Sequence, residues 1–178
     1  GQAVEDQMGE MVITRPMPSM PVFFWNDPDG SKYRSSYFED FPGFWRHGDF
    51  IKITKRGGVV IYGRSDATLN RHGVRIGTAE IYRAIDLIED IQDALIINLE
   101  HEDGSHYMPL FVQLKAGMTL TDDLKSRINA ILKESYSPRH VPDQIISCPD
   151  IPYTMSGKKL ESPVKKLMMG IPLQQSAS

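Results

Sequence analysis

The chain has 178 residues, 40% hydrophobic and 24% charged, with a formal net charge of −3. That length suits one ordinary domain or two small ones with packed cores, and the interspersed charge gives no footing for a nucleic-acid partner or a polybasic membrane surface. A single cysteine, Cys148, excludes an internal disulfide framework, no apolar run approaches the ~20 residues that span a bilayer, and the polar start shows no signal peptide, so a cytoplasmic protein without a membrane partner is expected.

Residues 1–65 read as β-rich. Strands are expected over Glu10–Arg15, Val22–Trp25 and Tyr33–Phe38, parted by Pro16-Met17-Pro18 and by Asn26-Asp27-Pro28-Asp29-Gly30, and no helix is expected in this half. Phe50–Thr54 and Val59–Tyr62 flank Lys55-Arg56-Gly57-Gly58, a hairpin in which glycine supplies the positive φ. The character changes near Asp66. Thr78 is placed to cap a helix with Ile81, Ile85 and Ile88 on one face and Glu80 in its first turn. Strands follow at Ala94–Leu99 and Tyr107–Leu114. A helix opens at Thr121 with Leu124, Ile128, Ile131 and Leu132 in amphipathic spacing, and ends by Ser137-Pro138. Gln144–Ser147 reads as a strand and Pro163–Met169 as a last short helix. Strand–helix–strand–strand–helix–strand order predicts a small α+β domain with helices packed on a sheet.

Several residue groups have the chemistry of a nucleotide site. Asp49, after Gly48, offers two acceptor oxygens suited to a pair of vicinal hydroxyls, or simply ends a turn before a strand. Arg64 is close enough in the hairpin to reach the same ligand, although alone it reads as a surface ion pair. Gly73-Val74-Arg75-Ile76-Gly77 combines close backbone approach with a planar cation, or is simply a turn with a solvated arginine. Lys158, in Thr154-Met155-Ser156-Gly157-Lys158-Lys159, stands on a loop; the pattern is not a phosphate-binding P-loop, because the upstream glycine is missing and Lys159 replaces Ser or Thr. Lys158, Lys159, Lys165 and Lys166 together form a basic cluster, expected to be a solvated face and also compatible with phosphate contacts. The five histidines show no metal-ligand spacing, so no metal site is expected.

The joint order of these groups resembles the carboxy-terminal signature of the adenylate-forming acid–CoA ligases. Gly9-Glu10, Trp45–Asp49, the unbroken run GRSDATLNRHGVRIGTAEIY from Gly63 to Tyr82, and the Pro152…Gly157-Lys158 motif follow the family's order and cover nearly the whole chain. The resemblance implies a β-rich remnant of a large amino-terminal domain over residues 1–65 and a mobile α+β lid over residues 66–178, hinged at Asp66. It implies catalysis by Lys158, nucleotide binding by Asp49, Arg64 and Arg75, and coenzyme A binding by Gly73, Thr78, Ala79, Lys133 and Arg139. ATP and coenzyme A would be the co-substrates, with Mg2+ held upstream of these residues, and Lys158 would be open to acetylation.

DIPYT before the Lys158 motif and LNRHGVR at Leu69–Arg75 point to the branch of the family that acts on acetoacetate. An acetyl- or propionyl-type ligase, and a stand-alone nucleotide- or protein-binding module, remain alternatives. Glu161 departs from the pattern, standing where many relatives carry a basic residue. The family's Ser/Thr/Gly-rich phosphate loop and its adenine motif are not among these residues, so the chain alone is expected not to turn over.

Overall fold

The computed structural model describes residues 2–71, 74–101 and 103–176. The chain divides into two compact units, Gly1–Asp66 and Ala67–Ser178, which leaves Asp66 as the last residue of the first.

In the first unit, β1 (Met8–Ile13), β2 (Trp45–Ile53) and β3 (Val59–Arg64) form an antiparallel sheet with β2 in the centre. The hairpin between β2 and β3 turns as its glycines dictate. Gly57 has φ 78°, and the Thr54 amide donates to the Gly58 carbonyl at 2.8 Å. Three expectations fail here, two strands and the absence of any helix from this half. Residues 22–25 form no strand, and Trp25 is 88% exposed. Tyr33–Phe38 is not a strand either, because α1 (Ser31–Tyr37) occupies it. The Asp27-Pro28-Asp29-Gly30 punctuation is a helix start. Asp27 accepts from the amides of Lys32 and Tyr33, Asp29 accepts from that of Ser31, and these contacts satisfy amides that a first turn leaves without partners. The aromatic residues that looked like strand formers instead gather around Trp45, with the Tyr37 ring stacked on its indole at 3.6 Å.

One feature of this sheet lacks a cover. Cross-strand pairs Ile51–Ile61 and Ile53–Val59 carry Ile53, Val59 and Ile61 at 45%, 57% and 58% exposure. Beside them an apolar cleft of about 510 Å³ is lined by Val4, Met8, Val12, Phe41 and Phe44 among others.

The second unit is built on a mixed sheet of three strands, in the order Gln144–Ser147, Pro109–Leu114, Ile91–Ile96. It opens with a small hairpin of β4 (Leu69–Arg71) and β5 (Val74–Ile76), followed by α2 (Thr78–Ile85). Strand β6 (Ile91–Ile96) leads into a minor hairpin of β7 (Leu99–Glu100) and β8 (His106–Tyr107). Central strand β9 (Pro109–Leu114) pairs antiparallel with β6 and parallel with β10 (Gln144–Ser147). Helix α3 (Asp122–Ser135) connects β9 to β10, and α4 (Glu161–Met168) and α5 (Leu173–Ser176) close the described chain.

Alternation along β6 explains why both sheet faces are covered. Ala94 and Ile96 join the larger core with Ile81, Ile85, Ile88, Leu124, Ile128 and Leu132, so α2 and α3 lie on that face. Leu95 and Ile97 join Leu99 and Ile151 on the other, with Val164 of α4 against them. Thr121 caps α3 as its spacing predicts, accepting from the Leu124 amide at 3.1 Å. Thr78 does not cap α2. Gly77 holds the cap position, and Thr78 is the first helical residue and is buried.

Candidate active site

The β2–β3 register sets Asp49 directly opposite Arg64. Gly48, with φ 83°, lets the arginine fold back across β2; a Cβ there would stand 2.8 Å from Arg64 Nη2. Arg64 Nη1 donates to the His47 carbonyl at 3.2 Å and lies 4.0 Å from Asp49 Oδ2, while Arg64 Nε donates to Asp66 Oδ1 at 3.2 Å. Asp49 also accepts a hydrogen bond from His47 Nδ1. The result is a groove of about 500 Å³ whose walls include Tyr37, Trp45, His47, Gly48, Arg64 and Asp66. Three residues singled out from sequence, Asp49, Arg64 and Asp66, therefore form one cluster. The groove presents aromatic rings, a guanidinium and the Asp66 carboxylate, which suit a base or sugar ring, a phosphate oxygen and hydroxyl donors respectively, while Asp49 lies behind its wall, 4.0 Å from Arg64.

Lys158 lies in the second unit, on a tight loop. The Thr154 amide donates to the Lys158 carbonyl at 2.8 Å, and the Gly157 and Lys158 amides return to Thr154 at 2.9 and 3.0 Å. Gly157 has φ 77°, and Tyr153 bridges Lys159 across the loop. Lys158 is exposed, and its ammonium makes no hydrogen bond or ion pair among the described residues. Lys159 departs from the expected solvated cluster. Its ammonium donates to Asp93 Oδ1 and to the Ala94 carbonyl, each at 2.6 Å, and sits 4.0 Å from the Tyr82 ring centroid.

Around that anchor is a polar network that periodicity does not reveal. Tyr153 donates to Asp93 Oδ2, and Tyr82 donates to Glu161 while accepting from the Ile96 amide. Burial alone would raise the Asp93 carboxyl, but hydrogen bonds from Lys159, Tyr153 and the Ala94 amide outweigh it and hold the group below its ordinary 3.8. Burial, and then the Glu161 charge, push the Tyr82 hydroxyl well above its ordinary value. Glu161, which departed from the family pattern, is thus a buried acceptor for Tyr82. The signal available in sequence was a carboxylate at the start of a helix; its partner lies 79 residues away.

The residues assigned to coenzyme A are spread over several elements. Thr78 and Ala79 form the start of α2, but Thr78 is 3% exposed, so a ligand there meets backbone amides rather than its hydroxyl. Arg75 is exposed on β5, opposite Asn70. Gly73 falls outside the described residues. Lys133 is exposed in the last turn of α3, and Arg139 is exposed in the 3-10 turn Pro138–His140. Two contacts fix this surface. His140 Nε2 lies 3.2 Å from Glu80 Oε2, joining the Arg139 turn to α2. Arg71 donates to the Val141 carbonyl and to Asp143, each at 2.6 Å, fastening the β4–β5 hairpin to the same segment. Among the described residues no group of three or more His, Cys, Asp or Glu could hold a metal ion, and no helix is long and apolar enough to cross a membrane.

The fold, a small antiparallel sheet followed by an α+β unit, matches that of solved adenylate-forming enzymes. An anthranilate CoA ligase solved in complex with anthranoyl-AMP shares the fold, with TM-score 0.76 and 18% identity over 98% of this chain and 32% of that one. Acetoacetyl-CoA synthetase from Streptomyces lividans superposes with TM-score 0.91 and 52% identity over 99% of this chain and 26% of its own. The acetoacetyl-coenzyme A synthetase of Rhizobium meliloti (strain 1021) is 49% identical over 98% of this chain and 27% of its own length. No protein-family model matches the chain. The chain is homologous, nearly end to end, to acetoacetyl-CoA synthetases, and spans about a quarter of the length of the curated relatives it matches.

Proposed function

We propose that this chain is the carboxy-terminal segment of an ATP-dependent acid–CoA ligase that makes acetoacetyl-CoA from acetoacetate, ATP and CoA through an acyl-AMP intermediate. The observation that carries the reading is the match across 98% of the chain to a relative named for that product. The uncovered apolar face of the first unit supports it, since Ile53, Val59 and Ile61 are what a strand layer presents to the rest of a larger domain.

In this reading Asp49 accepts hydrogen bonds from the ribose hydroxyls, with Arg64 against the nucleotide and Arg75 near phosphate. A carboxylate oxygen of acetoacetate attacks the α-phosphorus of ATP and pyrophosphate leaves. Negative charge converges there, and the Lys158 ammonium offsets it without reorganisation at the moment of reaction. Mg2+ is held by residues outside this segment. The CoA thiol, losing its proton, then attacks the acyl carbon and AMP departs.

One face of a lid cannot both hold Lys158 at phosphate and present a thiol channel, so the lid turns about Asp66 between the two steps. The start of α2, with Gly73, Thr78 and Ala79, then faces the CoA arm, and Lys133 or Arg139 meets the CoA phosphate. Acetylation of Lys158 would remove its charge and stop the first step. The segment alone, without the phosphate loop and acyl pocket, does not turn over.

The test is a transplant. This segment replaces its counterpart in a full-length acetoacetyl-CoA synthetase, and acetoacetate-dependent ATP–pyrophosphate exchange and thioester formation are measured. Both reactions are expected in the chimera, with no exchange by the segment alone. A folded chimera that forms neither product, or exchange by the isolated segment, contradicts the reading.

A further inference from the structure

The bonds within the Lys158 loop fix its shape but not its tilt against the domain. Thr154 and Lys158 close the turn, and the Leu160 amide donates to the Pro152 carbonyl at 3.0 Å at its base. All of these contacts lie inside the loop and would travel with it if it swung. The side chains that tie it to the sheet leave from its two legs, Tyr153 on one and Lys159 on the other. Both end on the same group, the Asp93 carboxylate. Tyr153 takes Oδ2 and Lys159 takes Oδ1.

Asp93 is itself aimed and held. The β6–β9 register shifts between Ile91 and Asp93, an irregularity of the kind that redirects a strand side chain, and the Ala94 amide donates to Asp93 Oδ1 at 2.7 Å. The carboxylate therefore receives three donors: one from each leg of the loop and one from its own strand. Lys159 adds a bond to the Ala94 carbonyl and its position over Tyr82. Lys158 stands one residue from one anchor and five from the other, so any rocking at the base is carried to its ammonium.

We propose that Asp93 is a positioning residue for the adenylation step, clamping both legs of the Lys158 loop through Tyr153 and Lys159 so that the Lys158 ammonium is held at a fixed tilt. This rests on the role given to Lys158 above. Nothing in the clamp touches substrate. Its consequence is confined to the step that uses Lys158 and does not extend to thioester formation.

The test uses Asp93→Leu, which removes both acceptors, and Tyr153→Phe, which frees one leg at an exposed position and spares the core. In the present chain, the amides of α3 and those bonded inside the loop should keep their hydrogen-exchange protection in Asp93→Leu, which separates a change of tilt from unfolding. In a full-length ligase carrying this segment, Asp93→Leu should slow adenylation by up to about 10²-fold, the scale of an ångström misplacement, with thioester formation from supplied acyl-AMP within about twofold. Tyr153→Phe should show the same split at smaller size, and Asp93→Glu should recover part of it.

Lys158→Ala is assayed alongside. If it leaves adenylation intact, the role of Lys158 falls and the clamp falls with it. If Lys158→Ala is crippling but neither Asp93→Leu nor Tyr153→Phe alters the ratio of the two half-reactions, the clamp alone is wrong. Equal loss in both half-reactions would make Asp93 a stability residue and likewise overturn the proposal.

Discussion

Lys158 and Lys159 are chain neighbours with opposite surroundings. The Lys159 ammonium is bonded to Asp93 and the Ala94 carbonyl and lies over Tyr82, whereas Lys158 is tied through its backbone alone among the described residues. Two residues of the same type thus separate a fastening from a presented charge. Lys159→Ala should cost the second unit about 2 kcal/mol, because a charge-assisted pair is broken and a partly buried carboxylate loses a donor. Lys158→Ala should change stability by less than about 0.5 kcal/mol, as exposed substitutions do. Urea denaturation of the two variants checks this, and equal midpoints would refute it.

Gly48 makes room for Arg64. Any side chain at φ 83° is strained, and the added Cβ would meet the guanidinium at 2.8 Å. Gly48→Ala should lose about 1–3 kcal/mol of stability. In a full-length ligase it should weaken ATP binding in the same direction as Arg64→Ala. The double variant should bind little worse than the worse single one, since both act through the same guanidinium. Additive losses would mean that Gly48 acts otherwise than by making room for Arg64.

Asp66 ends the first unit and accepts from Arg64 at 3.2 Å. If the lid turns about this residue, Asp66→Pro, which fixes φ near −65°, should trap one orientation and impair one half-reaction far more than the other. Asp66→Ala keeps backbone freedom and loses only an exposed ion pair, so it should cost little. Single-turnover measurement of each half-reaction decides it, and equal loss in both would make Asp66 an ordinary surface residue.

The anchors also fix a pH dependence. Burial, then the bond to Asp93, push the Tyr153 hydroxyl from 10.0 up to about 12. In that interval the folded state keeps a proton that the unfolded chain releases. Its contribution is therefore complete below pH 10.0 and is lost as pH rises through about 12. Tyr82, shifted upward by burial and Glu161, acts in the same sense. Asp93 works at the other end: held below 3.8, it contributes above that pH and is lost as acidity passes its folded value. Tyr153→Phe should flatten the alkaline fall in denaturation free energy, and an unchanged slope would mean that its hydroxyl is solvated in both states.

Local patterns carried most of the second unit. The spacing of Leu124, Ile128 and Leu132, the Thr121 cap and the Gln144–Ser147 run are short-range signals that packing did not override. Residues 22–38 depart from the expected strands because aromatic and turn residues favour strands only where a neighbouring strand receives them. Here Asp27 and Asp29 cap a helix instead, and the aromatic rings close on Trp45. Within the site, the Asp49–Arg64 pairing follows from a hairpin visible in the sequence. The partners of Lys159, Glu161 and His140 lie 66, 79 and 60 residues away, and no periodicity reports contacts at that range.

The measurement that bears most directly on the account compares Lys158→Ala with the unaltered protein in a full-length ligase, assaying the two half-reactions apart. Acetoacetate-dependent ATP–pyrophosphate exchange should fall by about 10²–10³, the loss seen when a placed electrostatic group is removed from a developing charge. Conversion of supplied acyl-AMP and CoA to thioester should be nearly intact if the lid has by then turned Lys158 away. A loss shared equally by both half-reactions, or exchange that survives the substitution, would contradict the assignment of Lys158 and the alternating lid with it.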